Sequence, residues 1–283
     1  MDNILVPYDF SKQSEFALQQ AVNLARRISS RIVLLYVNET PGIISALLGT
    51  KLSDEMIEKI NDHLDSVAAR ISLRESVYVE ASLQNGRIYT TIVKTADEMN
   101  SKFIVMGTRS SDGNDPERKR MMGANTSRVI RSANCPVITI SDSSHYNGCR
   151  SILLPMDLTK ETKQKVQRAI EFAKLYNAQI RAVSAVRESD KEAIVRLNEQ
   201  IHLVKDIITA ENVKCEAEII KTVDGEKAIV PAILNYARGK KDVDLIMIMT
   251  QQEHPVLEFF VGSHAQEFIR NSEIPVISII PQE

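Results

Sequence analysis

Tryptophan is absent from this chain, cysteine occurs only three times, and no apolar stretch is long. Cys135, Cys149 and Cys215 are far apart and odd in number, so they fit a reducing compartment better than a disulfide framework. None of them belongs to a C-x2-C pair, and the five histidines show no spacing typical of a metal site. No apolar run approaches the roughly 18 residues of a membrane span. These absences argue against a disulfide-rich, a metal-binding and a membrane-spanning protein.

The charge balance and the start of the chain narrow the class further. The formal net charge is −2, which provides no basic excess for binding nucleic acid or an anionic membrane. A strand-like segment begins at Asn3, which leaves no room for a signal peptide before it. With 43% apolar and 25% charged residues the composition is that of an ordinary soluble globular protein, and we expect it to be cytoplasmic.

The chain of 283 residues is longer than most single domains, and it contains an internal repeat. An Ile-Leu-Val-Pro run followed by Asp9 recurs, shifted by 148 residues, as Ile-Leu-Leu-Pro followed by Asp157. Later positions recur with a shift of 139 residues: Gly86 with Gly225, Gly123 with Gly262, and Pro136 with Pro275. Two shifts that each hold at several positions indicate a tandem duplication with a shorter middle in the second copy. We place the two domains at residues 1–141 and 150–283.

Within each half, apolar strand-like runs alternate with helix-like segments in the order β-α-β-α-β-α-β-α-β. The first strand covers residues 3–7, Ser11 is the expected N-cap of the helix after it, and a later strand is expected at Val77–Ser82. Apolar strands alternating with helices predict an α/β fold, with a parallel sheet covered by helices on both faces. In such open sheets, ligands bind beyond the carboxyl ends of the strands, where the strand order reverses.

Residues 103–140 hold the most informative motif: a strand ending at Met106 and broken by Gly107, a polar loop containing Gly113, and Gly123 before a predicted helix. Such an arrangement often binds anions, because free backbone N–H groups and the positive end of the helix dipole point at one spot. The motif resembles the phosphate-binding motif G-x2-G-x9-G-(S/T) of the universal stress protein family. Nine residues separate Gly113 from Gly123, as in the family. Five residues instead of two separate Gly107 from Gly113, and Ala124 stands where the family prefers Ser or Thr.

The resemblance covers nearly the whole chain and implies a tandem universal stress protein. Its two domains would be of the adenine nucleotide α-hydrolase-like, Rossmann-like kind, each with a five-stranded parallel sheet. The implied function is that of a cytoplasmic stress-response protein that binds ATP or AMP, with or without Mg²⁺. Whether the nucleotide site is occupied would be the signal to an unidentified protein partner. The resemblance also implies that the last strands, Val137–Ile140 and Val276–Ile279, pair antiparallel as an intramolecular pseudo-dimer, and such apolar edge strands need cover. A further homodimer stays open.

Three segments that follow predicted strands are expected at one edge of the first sheet: Pro7 to Asp9, Val37 to Glu39, and the Gly107-to-Thr126 loop. With the resemblance, they supply these candidates for nucleotide binding: Pro7, Tyr8, Asp9, Val37, Met106, Gly107, Arg109, Gly113, Gly123, Ala124, Asn125 and Thr126. Asp9 could accept hydrogen bonds from a ribose or an adenine amino group, or could instead satisfy N–H groups at the start of the next helix. The resemblance assigns the backbone of Val37 to the adenine edge.

Two features near the site have open interpretations. Arg109 either contacts a polyphosphate or faces solvent, whereas the basic run Arg118, Lys119 and Arg120 is balanced by nearby acidic residues and favours a solvated face. The apolar insert at residues 42–49, GIISALLG, is either a short helix packed on its own domain or a flap over the site that contacts a partner.

The second copy departs from the motif. Aligning its strands with the first copy puts Met249 at the first glycine position, Gln252 at the second, and Gly262 followed by Ser263 at the third. A methionine side chain where the backbone should meet phosphate obstructs the ligand. We therefore predict that the second domain is structural and does not bind ATP.

No catalytic residue is assigned to either copy. The glycines are not followed by a Walker A lysine, and the chain has no G-x-S-x-G elbow and no identifiable general base. We expect at most slow ATP hydrolysis. Two hypotheses remain: a nucleotide-binding regulatory module, and a nucleotide-free interaction scaffold in which the extended loop has abolished binding.

Overall fold

The computed structural model describes residues 1–39, 54–108, 122–141, 148–156, 162–223, 228–250 and 263–281. The chain divides into two compact units, Met1–Ile138 and Thr139–Glu283. Across these described ranges, no helix combines the length and the apolar character that crossing a bilayer would require.

The first repeat alternates strands and helices from start to end. Its elements are β1 (Asn3–Pro7), α1 (Lys12–Ile28), β2 (Arg31–Glu39), α2 (Asp54–Glu75), β3 (Val79–Gly86), α3 (Ile88–Glu98), β4 (Ser101–Gly107), α4 (Ala124–Ser132) and β5 (Val137–Ile140). The strand order is β3-β2-β1-β4-β5, and β1 pairs parallel with both β2 and β4. The chain therefore moves to one side of β1 and then crosses to the other, which places the reversal of strand order between β1 and β4.

The second unit repeats this plan. Its elements are β6 (Ser151–Pro155), α5 (Thr162–Tyr176), β7 (Gln179–Arg187), α6 (Lys191–Ala210), β8 (Cys215–Thr222), α7 (Ile229–Gly239), β9 (Val243–Met249), α8 (Ser263–Asn271) and β10 (Val276–Ile279). The strand order is β8-β7-β6-β9-β10, with parallel pairing throughout. The predicted α/β fold with two open parallel sheets is confirmed. The domain boundaries at residues 1–141 and 150–283 stay a prediction.

The central strands form because their side chains are apolar on both faces. Ile4, Leu5 and Val6 of β1 are fully buried, and residues 32–35 of β2 are almost completely buried. A strand covered by helices on both sides needs such a continuous apolar run, since each face must pack against a helix. The sequence of each central strand thereby dictates a three-layer arrangement.

Helix α1 begins where the sequence predicts. Ser11 is its N-cap, and the Ser11 hydroxyl oxygen accepts a hydrogen bond from the Ser14 N–H at 3.2 Å. The helix ends at Ser29, which adopts a left-handed conformation with φ of 52°. The Ser11 cap lies in the turn from β1 into α1, which borders the site described next.

Candidate functional site

A cavity of about 640 Å³ lies beyond the carboxyl ends of β1, β2 and β4, at the reversal of strand order. This volume is within the range of small-molecule sites. The cavity is lined by residues Pro7, Tyr8, Asp9, Ser11, Ser14, Leu35, Tyr36, Val37, Asn38, Glu39, Ile88, Ile92, Met106, Gly107, Gly123, Ala124, Asn125 and Thr126. The first two segments expected at this edge of the sheet and both ends of the third therefore meet there.

The turn after β1 forms one wall of the cavity. The Tyr8 N–H donates a hydrogen bond to the Leu35 C=O at 2.8 Å, which holds the turn against β2. Burial, helped by the nearby Glu15 carboxylate, raises the pKa of Tyr8 to about 12, so its hydroxyl stays protonated at neutral pH. The exposed Asp9 accepts a hydrogen bond at its Oδ1 from the Ser11 N–H at 3.1 Å. Asp9 thus has the helix-start role and also faces the cavity.

Strand β2 presents its backbone to the cavity at Val37. The last residue of β1, Pro7, pairs with Leu35, and β2 continues for four residues beyond that pair. Alternate residues of a parallel strand direct their N–H and C=O groups to the same neighbouring strand. Because the Leu35 C=O faces the β1 side, the Val37 N–H and C=O face that side too, where β1 has already ended.

The start of α4 forms the opposite wall and has no side-chain cap. Gly123 is the N-cap, and the first intrahelical hydrogen bond runs from the Ser127 N–H to the Gly123 C=O at 3.0 Å. The N–H groups of Ala124, Asn125 and Thr126 therefore have no partner within the helix. The first turn also lacks an acidic residue. Such a helix start attracts an anion, because the exposed N–H groups and the helix dipole act together.

Two hydrogen bonds join the ends of the glycine-containing loop. The Gly123 N–H donates to the Thr108 C=O at 2.9 Å, and the buried Thr126 hydroxyl donates to the Gly107 C=O at 3.2 Å. These donors serve the loop closure, so the Gly123 N–H and the Thr126 side chain are already engaged. The backbone N–H groups of Ala124, Asn125 and Thr126 are left as the anion donors at this wall.

The family model described as Universal stress protein family matches this chain twice, over residues 1–141 and 148–279. The chain belongs to the universal stress protein family. A universal stress protein of Methanocaldococcus jannaschii is 24% identical over 139 residues, which are 48% of this chain and 80% of that protein. One from Synechocystis is 29% identical over 139 residues, with coverage of 48% and 83%.

Solved structures show the same fold over the full length. The crystal structure of a universal stress protein from Archaeoglobus fulgidus covers 100% of this chain and 97% of its own, with a TM-score of 0.76 at 21% identity. The two matches of the family model agree with the internal repeat found in the sequence. The resemblance to tandem universal stress proteins is thereby confirmed.

Ten of the twelve candidates for nucleotide binding line the same cavity of this universal stress protein. The other two, Arg109 and Gly113, lie outside the described residues, as do the basic run at residues 118–120 and the insert at residues 42–49. Sequence reasoning missed Ser14, Leu35, Tyr36, Ile88 and Ile92, which also line the cavity. Ile88 and Ile92 are one helical turn apart directly after Gly86, at the end of a strand, and this position was the available signal.

The second unit has a different residue at the corresponding strand end. Strands β4 and β9 each contain seven residues, and their last residues are Gly107 and Met249. Met249 is 9% exposed, so its side chain packs inside the unit. Gln252 and Gly262 lie outside the described residues. Within the described part of the chain, no group of three or more His, Cys, Asp or Glu side chains is arranged to hold a metal ion.

Proposed function

We propose that the first unit binds an adenine nucleotide, ATP or AMP, and that its occupancy regulates a protein partner during a cytoplasmic stress response. One observation carries the proposal: the uncapped start of α4 opens into a cavity of about 640 Å³ at the reversal of strand order. A site of this size, with N–H groups at one end and apolar side chains at the other, suits a nucleotide.

The residues divide between the two ends of such a ligand. Ile88, Ile92 and the Val37 backbone offer an apolar slot with hydrogen-bonding groups at its edge, which suits a purine base. Asp9 has a second carboxylate oxygen, which suits a ribose hydroxyl while Oδ1 keeps its bond to Ser11. The phosphates would meet the Ala124 and Asn125 N–H groups. Mg²⁺, when bound, would be coordinated mainly by phosphate oxygens and water, as is usual for this ion.

The second unit is proposed to be structural and to bind no ATP. Its β9 ends in Met249 where β4 ends in Gly107, so a side chain occupies the place at which backbone would approach a phosphate. We also propose that the protein acts through binding rather than turnover, since no general base or phosphate-binding lysine has been identified.

Titration calorimetry with ATP tests the proposed site. Wild type is compared with Gly123→Val, which places a branched side chain at the start of α4, and with Gly239→Val as the matched control. A Cβ at Gly239 meets no atom within 4 Å and Gly239 does not line the cavity, so we expect this variant to fold and to leave the site unchanged. We expect binding heat in wild type and in the control, and none in Gly123→Val.

Two other outcomes would change the assignment. A wild-type protein that gives no heat, and that releases no adenine absorbance on denaturation, supports the nucleotide-free scaffold instead. Phosphate release over hours that requires Mg²⁺ would support a slow ATPase. Binding that survives in Gly123→Val with unchanged affinity would remove α4 from the site.

A further inference from the structure

A buried lysine stands in the second unit where the first unit has a buried alanine. The shift of 148 residues that relates Pro7 to Pro155 also relates Ala17 of α1 to Lys165 of α5. The local backbone supports this correspondence, because the Tyr8 and Met156 N–H groups both donate across to the neighbouring strand at 2.8 Å. Ala17 is fully buried and Lys165 is 6% exposed. The two turns are thus alike, and the side chain beside them differs.

The Lys165 side chain reaches the end of the strand. Its Nζ donates a hydrogen bond to the C=O of Pro155, the last residue of β6. Helical side chains lean toward the N-terminus of their helix, and this lean directs the lysine from α5 toward the carboxyl end of the sheet. In the first unit, the residues at the same place, Pro7 and Ser14, line the cavity.

A second internal donor acts beside Lys165. The Ser184 hydroxyl donates to the Met156 C=O at 2.8 Å, and Ser184 is 1% exposed. Both carbonyl groups at the end of β6 are therefore bonded to side chains of the same unit. The corresponding residues in the first unit are Ala17, which has no donor, and Tyr36, which lines the cavity. At the position of Ala17 the first unit has a small side chain without a donor, whereas the second unit places a lysine that bonds to the end of its strand.

We infer that Lys165 is the residue that, together with Met249, closes the second unit to nucleotides. Lys165 occupies the strand-end region beside β6, and Met249 occupies the phosphate end beside β9. A ligand would have to displace the Lys165 side chain from this buried position and break its hydrogen bond to the Pro155 C=O, which costs free energy because that carbonyl would lose its partner. This inference rests on the proposed function for its account of the first unit, and it adds a residue that the glycine motif does not contain.

Transplanting the lysine into the first unit tests the inference directly. Ala17→Lys should weaken ATP binding by about tenfold or more in calorimetry, because the new ammonium would extend into the cavity beside Pro7. Gln19→Lys is the control, since it also adds a single positive charge to α1, at a partly exposed position that does not line the cavity. Binding by a folded Ala17→Lys protein that equals wild type would overturn the inference.

Opening the second unit gives an independent measurement that does not depend on the fold of Ala17→Lys. The number of ATP molecules bound per chain is compared for wild type, Met249→Gly, and Met249→Gly with Lys165→Ala. We expect Met249→Gly to bind the same number of ATP molecules per chain as wild type. The double variant should bind about one more ATP per chain than wild type. A gain already in Met249→Gly, or no gain in a folded double variant, refutes the role of Lys165. A wild type that binds no ATP refutes the proposed function alone, since the double variant would still gain about one.

Discussion

Gly86 and Gly123 are needed for different physical reasons. Gly123 has φ of −60° and ψ of 142°, values open to any residue, so only the close approach of a ligand would call for a glycine there. Gly86 ends β3 with φ of 154°, which L side chains rarely adopt, and a Cβ would lie 2.5 Å from the Thr91 hydroxyl oxygen. One glycine is tied to the site and the other to the fold.

Gly86→Ala should destabilise the protein by about 1–3 kcal/mol, because it combines a strained backbone with a steric clash. Chemical denaturation measures the change, with Gly239→Ala as the control at an unobstructed position. Adding Thr91→Ala removes the clashing hydroxyl and should recover only part of the loss. Full recovery would show that the backbone conformation at Gly86 contributes nothing.

Asp9 joins a structural role to a proposed binding role, and two substitutions separate them. Asp9→Asn keeps an oxygen that accepts from the Ser11 N–H, so stability should stay within about 0.5 kcal/mol of wild type while ATP affinity falls. Asp9→Ala loses the acceptor as well and should cost about 1 kcal/mol of stability. Denaturation and calorimetry on both variants check this. Unchanged affinity in Asp9→Asn would leave Asp9 with the helix-start role alone.

At the scale of elements, strand existence was predictable and strand length was not. The sequence predicted a strand at Val77–Ser82, whereas β3 runs from Val79 to Gly86. The added residues, 83–86, include polar ones and end in a glycine, and they extend the strand because β3 pairs along its length with β2 up to Glu39. Asn85 accepts a hydrogen bond from the Asn38 side chain at 2.7 Å. The longer strand is stabilised by pairing with a segment that is distant in sequence, which local strand propensity cannot predict.

The parts of the candidate site that are formed by backbone could be predicted from the sequence. The side chains that reach the site through helix packing could not. Glycine spacing located the loop and the start of α4, since these follow from chain order alone. Ile92 was missed because its place after a strand end indicates only that it lies near this edge of the sheet, and the packing of the helix decides whether its side chain lines the cavity. The engagement of the Gly123 N–H by Thr108 also depends on the loop ends meeting, which spacing cannot reveal.

The second unit differs from the first in having a buried arginine in its sheet. Arg181 of β7 is 7% exposed and corresponds to Val33 of β2, which is 1% exposed. Its guanidinium donates to Asp242 at 2.8 Å and also pairs with Glu216, while its Nε is buried without a hydrogen-bond partner. An ion pair with one unsatisfied donor recovers little of its desolvation cost.

Arg181→Met should therefore change the free energy of unfolding by less than about 1 kcal/mol, whereas Asp242→Asn should cost about 1–2 kcal/mol by leaving Arg181 under-compensated.

Burial opposes ionisation of Asp242, but its hydrogen bond and charge interaction with Arg181 hold its pKa below the usual value. A lowered folded-state pKa contributes stability above the unfolded-state pKa, near 4, and this contribution is lost as pH falls through the folded value. Denaturation curves should show the Asp242→Asn deficit shrinking below about pH 4. A deficit that grows on acidification would contradict the sign.

The two units of the molecule can keep a contact at corresponding positions even where the residues that form it differ. Asp2 and Lys102 lie 4.0 Å apart in the first unit, and the corresponding residues, Arg150 and Asp244, form an ion pair of opposite polarity at 2.8 Å. The position of the pair is kept while its charges are exchanged. Duplicated units can therefore share a fold and differ in chemistry, and the cavity beside Gly107 and the lysine-filled end of β6 are one such difference.

Amide hydrogen exchange on the intact chain tests this asymmetry for the molecule as a whole. With ATP, protection should rise at residues 35–39 and 122–127, where backbone groups border the cavity, and stay unchanged at Met156 and Met249. The second unit is thus an internal control for global stabilisation, and Gly123→Val should lose the ATP-dependent protection. ATP-dependent protection at Met156 and Met249 that persists in Gly123→Val would mean that the second unit also takes the nucleotide, despite Met249 and Lys165. Since bound ligand stabilises only the state that binds it, the map reports which unit is occupied.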